Sequence, residues 1–273
     1  MNYKTTLSII AVSIFAVACT TNPFTGKSTL ALVPNSQILP MAFQQYDQFL
    51  SENKVITGTS DAQMINNIGQ KISTAAERWL TANGYAGYLK DYAWEYKLVD
   101  DPAVNAWCMP GGKIVFYTGI LPITQTDAGV AAVMGHEVAH ALANHGQQRM
   151  SAGQIQALGA VAGNVALAKD PKNQAIFNQS YGLASSVGVM LPFSRNHESE
   201  ADKIGLTLMA IAGYDPIAAA DLWRRMKEQA GSAPPEFLST HPSSDTRINN
   251  ITAWANDAKA EARKYGVTSF KRK

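Results

Sequence analysis

The sequence is poor in cysteine, charge and histidine. Only two of its 273 residues are cysteine, Cys19 and Cys108, so no network of disulfides frames the fold. Charged residues make up 16% against 46% hydrophobic, and the formal net charge is +2. That balance supplies a core and excludes a disordered chain. No Lys/Arg cluster with interleaved aromatics occurs, which argues against nucleic acid as a partner. Long apolar runs are missing from the body as well. The most apolar stretch, around Ile155–Ala168, is interrupted by Gln156, Asn164 and glycines, so it does not read as membrane-spanning. There are five histidines.

The first residues read as a targeting segment. Lys4 is a basic start, Leu7–Ala18 is apolar, and Ala16-Val17-Ala18 are small residues before Cys19. At about twelve residues the run is short for a bilayer, so residues 1–18 are expected to be a signal peptide that is removed. A cysteine after small residues resembles a bacterial lipoprotein signal. The resemblance implies lipidation of Cys19 and a membrane anchor, leaving Cys108 alone. A Cys19–Cys108 bridge is the alternative, and it would tie down a tail that otherwise reads as a tether. Thr20, not Asp, follows the cysteine, as in the outer-membrane-sorted class. The implied location is the periplasmic side of a Gram-negative-type envelope, on the outer membrane.

Residues 19–40 carry Pro23, Gly26, Pro34 and Pro40 without helical periodicity, and are expected to be a tether. Residues 41–273 are expected to form one domain, mainly α with a small β-sheet. Met41–Leu50 and Asp61–Leu80 have amphipathic spacing, the second starting after Thr59-Ser60. Tyr92–Val99 and Lys113–Tyr117 read as strands, the latter entered through the turn Pro110-Gly111-Gly112. Asp127–Asn144, Arg195–Ala212, Pro216–Ala230 and Asp245–Tyr265 read as helices. Ser151–Phe193 is rich in Ala, Gly and Gln, with a break at Asp170-Pro171.

His136-Glu137-Val138-Ala139-His140 is the HExxH pattern. Histidines four apart share one helix face, so both imidazoles reach a single zinc. Glu137 is rotated toward the open side of the metal, where its carboxylate serves as proton acceptor. The alternative is a solvated helix with two surface histidines. Val130, Ala131, Val133, Met134, Val138, Ala139, Ala141 and Leu142 argue against it, because a charged triplet in so apolar a helix needs a partner when buried.

The third ligand comes from elsewhere. Ala143 and Gly146 exclude the longer HExxHxxGxxH pattern, and His145 falls on the opposite side of the helix. Downstream, Glu198 and Asp202 are four apart on one face. Glu198 suits the metal, and Asp202 suits the outer N–H of a ligand histidine. His197 competes as a nitrogen donor, but its neighbour Asn196 offers no orienting carboxylate. Glu200 points away.

HExxH followed by Glu198-Ser199-Glu200-Ala201-Asp202 resembles the family 48 zinc metallopeptidases, which include HtpX-like, Oma-like, BepA-like and LoiP-like proteins. Asn22-Pro23-Phe24-Thr25-Gly26-Lys27 resembles the segment after the lipid cysteine in the lipoprotein branch. Asn105-Ala106-Trp107 with Pro110-Gly111-Gly112 and Tyr117-Thr118-Gly119 resembles the strand region beside the active site. Ser194-Arg195 and Thr240-His241-Pro242 through Arg247 resemble further family segments. Together these cover nearly all of the chain after Cys19.

The resemblance implies a thermolysin-like zincin fold and one Zn2+ per chain, held by His136, His140 and Glu198. Glu137 is expected to act as general base and then general acid in peptide hydrolysis. The membrane helices of the HtpX-like branch and the helical-repeat domain of BepA-like proteins are not recognisable. Polypeptide substrates are implied, in particular misfolded or unassembled envelope proteins. A zinc-holding chaperone or assembly factor with weak proteolysis is the alternative. Trp107 and Cys108 are expected to be packing residues. Lys113–Tyr117, with Asn105, Ala106, Ile114 and Val115 as its site residues, is expected to bind an extended substrate by backbone hydrogen bonds, or else to be an ordinary core strand. His241 matches a family histidine near the metal. It is expected to stabilise the oxyanion, with Arg247 adding charge or fixing its loop, or to close the fourth metal position.

Overall fold

The computed structural model describes residues 19–229 and 235–273, and the expected signal peptide lies outside them. The chain divides into two compact units. Among the described residues, one is built from residues 19–38 and 144–197, the other from residues 39–143 and from Glu198 onward.

In the first unit, β1 (Cys19–Thr21) pairs antiparallel with β2 (Ser28–Leu30). The turn between them closes through Gly26, at φ +66°, whose N–H donates to the Asn22 carbonyl at 2.8 Å. Helix α1 (Asn35–Glu52) begins inside the stretch that reads as a tether and passes through Pro40. Ser36, four residues earlier, loses its usual i+4 donor at that proline, and both residues are exposed, so the carbonyl is open to solvent. The remainder of the unit is helical. It contains α5 (His145–Ala166) and α6 (Pro171–Ser185), broken where expected, with Asp170 Oδ1 accepting from Asn173 N and Pro171 in the first turn.

The second unit carries the four-stranded sheet. Its strands are β3 (Val55–Ile56), β4 (Glu95–Val99), β5 (Ala106–Met109) and β6 (Lys113–Tyr117), in the order β3-β4-β6-β5. β4 and β6 run parallel and the other pairs antiparallel. Tyr46 of α1 packs with Val99 and Val115, while Phe49 and Trp107 meet edge to face at 5.0 Å. Trp107 is thus a packing residue, as expected.

Helix α2 (Ser60–Ala82) starts where Thr59 Oγ1 accepts from Ala62 N, and buries Ile65, Ile68, Ile72, Ala76 and Leu80 at helical spacing. It packs on β4 and on α4 (Asp127–Leu142). A 3-10 turn (Thr118–Ile120) and the short α3 (Leu121–Thr124) precede α4. Thr126 caps α4, whose residues from Ala128 to Leu142 are all buried. A helix apolar on every side belongs at the centre of its unit, so the HExxH motif sits in the deepest element. Asn144, at φ 56°, then turns the chain out of α4, two residues earlier than expected.

Helix α7 (Leu191–Ile211) brings Glu198 and Asp202. It is followed by α8 (Ile217–Gln229), α9 (Glu236–Thr240) and α10 (Asp245–Arg263). The backbones of α4 and α7 nearly touch at Gly135 and Gly205. A Cβ on Gly135 would lie 2.9 Å from the Gly205 carbonyl oxygen, and one on Gly205 would lie 2.9 Å from His136 N. Only two glycines permit this crossing, and it draws His136 toward Glu198 and Asp202. The protein is mainly α with a small β-sheet, as expected. Among the described residues no helix is long and apolar enough to cross a membrane.

Candidate metal centre

Four buried or nearly buried side chains converge: His136 and His140 from α4, Glu198 from α7, and His241 from the C-terminal end of α9. Each offers one donor atom, all within 4.8 Å of one another. His136 Nε2 is 3.1 Å from His140 Nε2 and 3.1 Å from His241 Nδ1. Glu198 lies 3.3 Å from each of the first two imidazoles and 2.9 Å from His241 Nδ1. A zinc tetrahedron with bonds of about 2.0–2.1 Å has donor–donor edges of roughly 3.3 Å, so this set of nitrogens and one carboxylate fits zinc in both chemistry and spacing.

The electrostatics are strongly coupled. Burial alone would lower the pKa of His136, but hydrogen bonding to Asp202 and Glu198 outweighs it and raises the value to about 9. Burial dominates at His140 and pushes it well below its ordinary value. Burial also opposes the charge of Glu198, yet hydrogen bonds from His136, His140 and His241 hold its pKa far below the usual carboxylate range. Buried imidazoles that face each other around an ionised carboxylate make a ready cradle for a cation.

Behind the cradle, His136 Nδ1 lies 3.0 Å from Asp202 Oδ1. Asp202 is gripped by Arg247, Nε to Oδ2 and Nη2 to Oδ1 at 2.7 Å each. Burial raises the Asp202 pKa, but the Arg247 charge and the His136 hydrogen bond leave it lowered overall. Arg247 also donates from Nη1 to the Pro242 carbonyl at 3.1 Å, tying down the loop after His241, and its Nη1 is 3.2 Å from Glu198 Oε2.

Glu137 is buried beside the cluster, with Oε1 3.5 Å from His241 Nε2. His145 and His197 are not members of the donor set. They stack on each other at 4.0 Å, and His197 Nε2 pairs with Gln148 Oε1 at 3.0 Å. Cys108 is a free thiol whose pKa is pushed well above its ordinary value, by burial first and by the Glu137 charge second. Cys19 lies in β1.

The expected substrate strand needs correction. Lys113–Tyr117 is β6, hydrogen-bonded to β4 on one side and to β5 on the other, with Ile114 and Val115 fully buried. Its backbone is already used and its side chains fill the core on both faces. The sheet ends at β5, which carries Ala106 and is preceded by Asn105.

Sequence reasoning missed the packing that aims the cluster. Trp223 lies beneath the Arg247 guanidinium, 3.6 Å from Cζ to the ring centroid. Phe237 stacks between Trp223 and His241, at 5.6 and 4.7 Å. Phe237 N donates to the Val104 carbonyl at 3.1 Å, anchoring α9 to the segment that leads into β5. A signal existed in the helical apolar spacing of Ala219, Leu222, Trp223 and Met226, but that pattern reads as core, not as support for an arginine.

The profile described as Peptidase family M48 matches residues 69–255. The mitochondrial metalloendopeptidase OMA1 of Schizosaccharomyces pombe is 37% identical over 192 residues, 70% of this chain and 54% of that protein. OMA1 of Saccharomyces cerevisiae is 37% identical over 199 residues, again 70% and 54%. The beta-barrel assembly-enhancing protease of Escherichia coli K12 is 26% identical over 248 residues, 89% of this chain and 48% of that protein. The chain spans about half the length of these curated relatives. With a family profile across most of its length and a donor set suited to zinc, the chain belongs to peptidase family M48, a family of zinc metallopeptidases.

Proposed function

We propose that this protein is a zinc-dependent metalloendopeptidase, with zinc held by His136, His140 and Glu198. The observation that carries the reading is the convergence of these three donors in a buried cradle whose first imidazole is backed by Asp202 and Arg247. When bound, zinc supplies Lewis-acid polarisation of a carbonyl and acidifies water. The remaining chemistry belongs to the chain. Glu137, adjacent to the cradle on α4, takes a proton from the attacking water and returns it to the leaving amine. Asp202 fixes the tautomer of His136, and Arg247 keeps Asp202 ionised and aimed.

The substrate is polypeptide, in extended form, lying antiparallel or parallel along the outer edge of β5 by way of Asn105 and Ala106. We place the protein in a bacterial envelope, tethered to a membrane by lipid at Cys19, and acting on misfolded or unassembled envelope proteins. The similarity to a protease named for β-barrel assembly supports that substrate class.

Latency is a second feature of the reading. His241 Nδ1 lies among the donors, 3.1 Å from His136 Nε2, which supports a role as a fourth ligand that closes the site at rest. The alternative, a chaperone with weak proteolysis, draws on the same observation. The Glu137→Gln protein tests the reading. It should keep zinc and lose cleavage of casein, and full cleavage by this variant would overturn the role of Glu137.

A further inference from the structure

The helical hairpin of α5 and α6 has its polarity reversed. Helices packed in water turn apolar side chains into their seam and polar ones outward. Here Asn164 and Asn178 exchange two side-chain hydrogen bonds across the seam, at 2.8 and 3.0 Å. Gln156 Nε2 donates to Ser185 Oγ at 2.6 Å, and the Tyr181 hydroxyl donates to the Gln156 carbonyl at 3.0 Å. Gly159 and Gly163 make room for the close approach, since a Cβ at either would collide with Tyr181 or Phe177.

The outward positions are largely apolar, with Gln154, Gln179 and Ser180 as the exposed polar exceptions. Leu158 and Val165 on α5 are 66% and 71% exposed, and Leu183 on α6 is 70% exposed. Apart from Met41, every exposed large hydrophobic residue among the described residues lies between Met150 and Leu191. No Asp, Glu, Lys or Arg occurs from Met150 to Ala168 or from Asn173 to Ser194. Charge returns only at the turn, as Lys169, Asp170 and Lys172.

Phe177 and Tyr181 stack at 4.9 Å over those glycines, so the seam combines aromatic packing with side-chain hydrogen bonds. Small residues and interhelical hydrogen bonds inside, with apolar residues outside, is how helices pair in lipid, where no hydrophobic force drives them together. On the helical wheel the apolar arcs of α5 and α6 both lie opposite the shared seam, so they look in opposite directions. A single flat protein surface, or a second copy, covers one arc and leaves the other in water. A fluid apolar layer covers both. Neither helix suffices to cross a membrane, so the hairpin suits the interface and not the span. The same unit contains β1, which begins at Cys19, the proposed lipid site, and β2, which packs against α5. The two turn lysines outnumber the one aspartate and complement anionic headgroups.

We propose that the α5–α6 hairpin is a lipid-docking element, embedded flat in the interface of an anionic bilayer with Lys169 and Lys172 at the headgroups. It adds a second contact to the membrane partner of the proposed function and depends neither on lipid at Cys19 nor on catalysis.

The test places an environment-sensitive fluorophore at L158C or L183C of the full chain, in a Cys108→Ser background whose Cys19 is lipidated or replaced by Ser, with Q63C on α2 as the control. The protein is bound to vesicles of phosphatidylethanolamine and phosphatidylglycerol that carry nitroxide labels on the acyl chains. The expected result is blue-shifted emission with severalfold stronger quenching at both hairpin positions than at the control. A lipid at Cys19 alone holds the protein on the vesicle without burying those probes, so failure of the anchor and failure of the hairpin are distinguishable. Replacing Val161 and Val165 with Gln should abolish the quenching while zinc content and thermal unfolding stay at the parent values. Hairpin probes as open to aqueous iodide as the control, on vesicle-bound protein, would overturn the proposal. So would shielding that arises without vesicles and grows with protein concentration, which identifies a second copy as the occupant.

Discussion

Arg247 holds both carboxylate oxygens of Asp202 at 2.7 Å, and Asp202 in turn stands 3.0 Å from the outer nitrogen of His136. The donor face of His136 is therefore set from the C-terminal helix, far away in sequence. A planar fork grips a carboxylate in a way that a lysine cannot reproduce. Asp202→Asn and Arg247→Lys should each weaken zinc binding by about 10- to 100-fold, the range for partners that orient a metal ligand. The double variant should be little worse than either alone, because both act through one chain of contacts. Chelator competition measures this, and unchanged affinity in Arg247→Lys would remove the arginine from the argument.

The crossing of α4 and α7 makes a separate prediction. Gly135→Ala or Gly205→Ala places a methyl group within 2.9 Å of the opposing backbone. The helices must separate, at a cost of about 1–3 kcal/mol. Zinc affinity should fall with stability, since the crossing draws His136 toward Glu198. Gly146→Ala, where no atom lies within 4 Å, is the control and should keep both. Denaturant unfolding of the three variants decides the matter, and equal midpoints would show that the crossing tolerates a side chain.

These cases show where the sequence is legible. Helix α2 announces itself through its start at Thr59-Ser60 and its apolar spacing, and the expected spans of α2, α4 and α10 agree with the observed ones to within about two residues, the usual uncertainty of helix ends. HExxH and the Glu198/Asp202 pair are local patterns of helix geometry. The grip of Arg247 on Asp202 spans 45 residues, and only a folded chain reveals it. The status of β6 was hidden for a related reason. Ile114, Val115 and Phe116 form a continuous apolar run, the mark of a strand covered on both faces, but which strand lies at the sheet edge depends on pairing order.

The sheet order directs the substrate prediction to β5. A peptide-like inhibitor bound at the metal should run beside Ala106–Met109, extending the sheet beyond its last strand. A structure of the complex tests this directly. An inhibitor chain that leaves β5 uncontacted would refute substrate addition at this edge.

Two buried tyrosines predict an alkaline limit to stability. Burial pushes Tyr96 up to about 12, and burial with the Asp127 charge pushes Tyr214 up to about 12. Both values are raised above the unfolded value of about 10. The folded state therefore binds more protons than the unfolded state between those limits. Their contribution is fully present below pH 10 and is lost as pH rises through 12. Denaturant midpoints should decline above about pH 10, and less steeply in Tyr214→Phe. Midpoints that stay level up to pH 12 would contradict the burial of both phenols.

The proposed latency rests on the placement of His241. Its ring is held by stacking on Phe237 at 4.7 Å, and its backbone N–H donates to the Phe237 carbonyl at 2.9 Å. Arg247 secures the Pro242 carbonyl immediately after it. Nδ1 faces the donor cluster, whereas Nε2 is 3.5 Å from Glu137 Oε1. One ring thus addresses both the fourth metal position and the proposed general base. A fourth protein ligand is characteristic of closed zinc sites, and catalytic sites keep that position open. His241→Ala should therefore raise basal casein cleavage and weaken zinc retention modestly, because three ligands remain. A role as oxyanion donor makes the opposite prediction for turnover, a loss of about 100- to 1,000-fold with zinc retained. Cleavage rate and zinc content measured on the same preparation separate the two. Parent-like values of both would leave His241 outside the chemistry altogether.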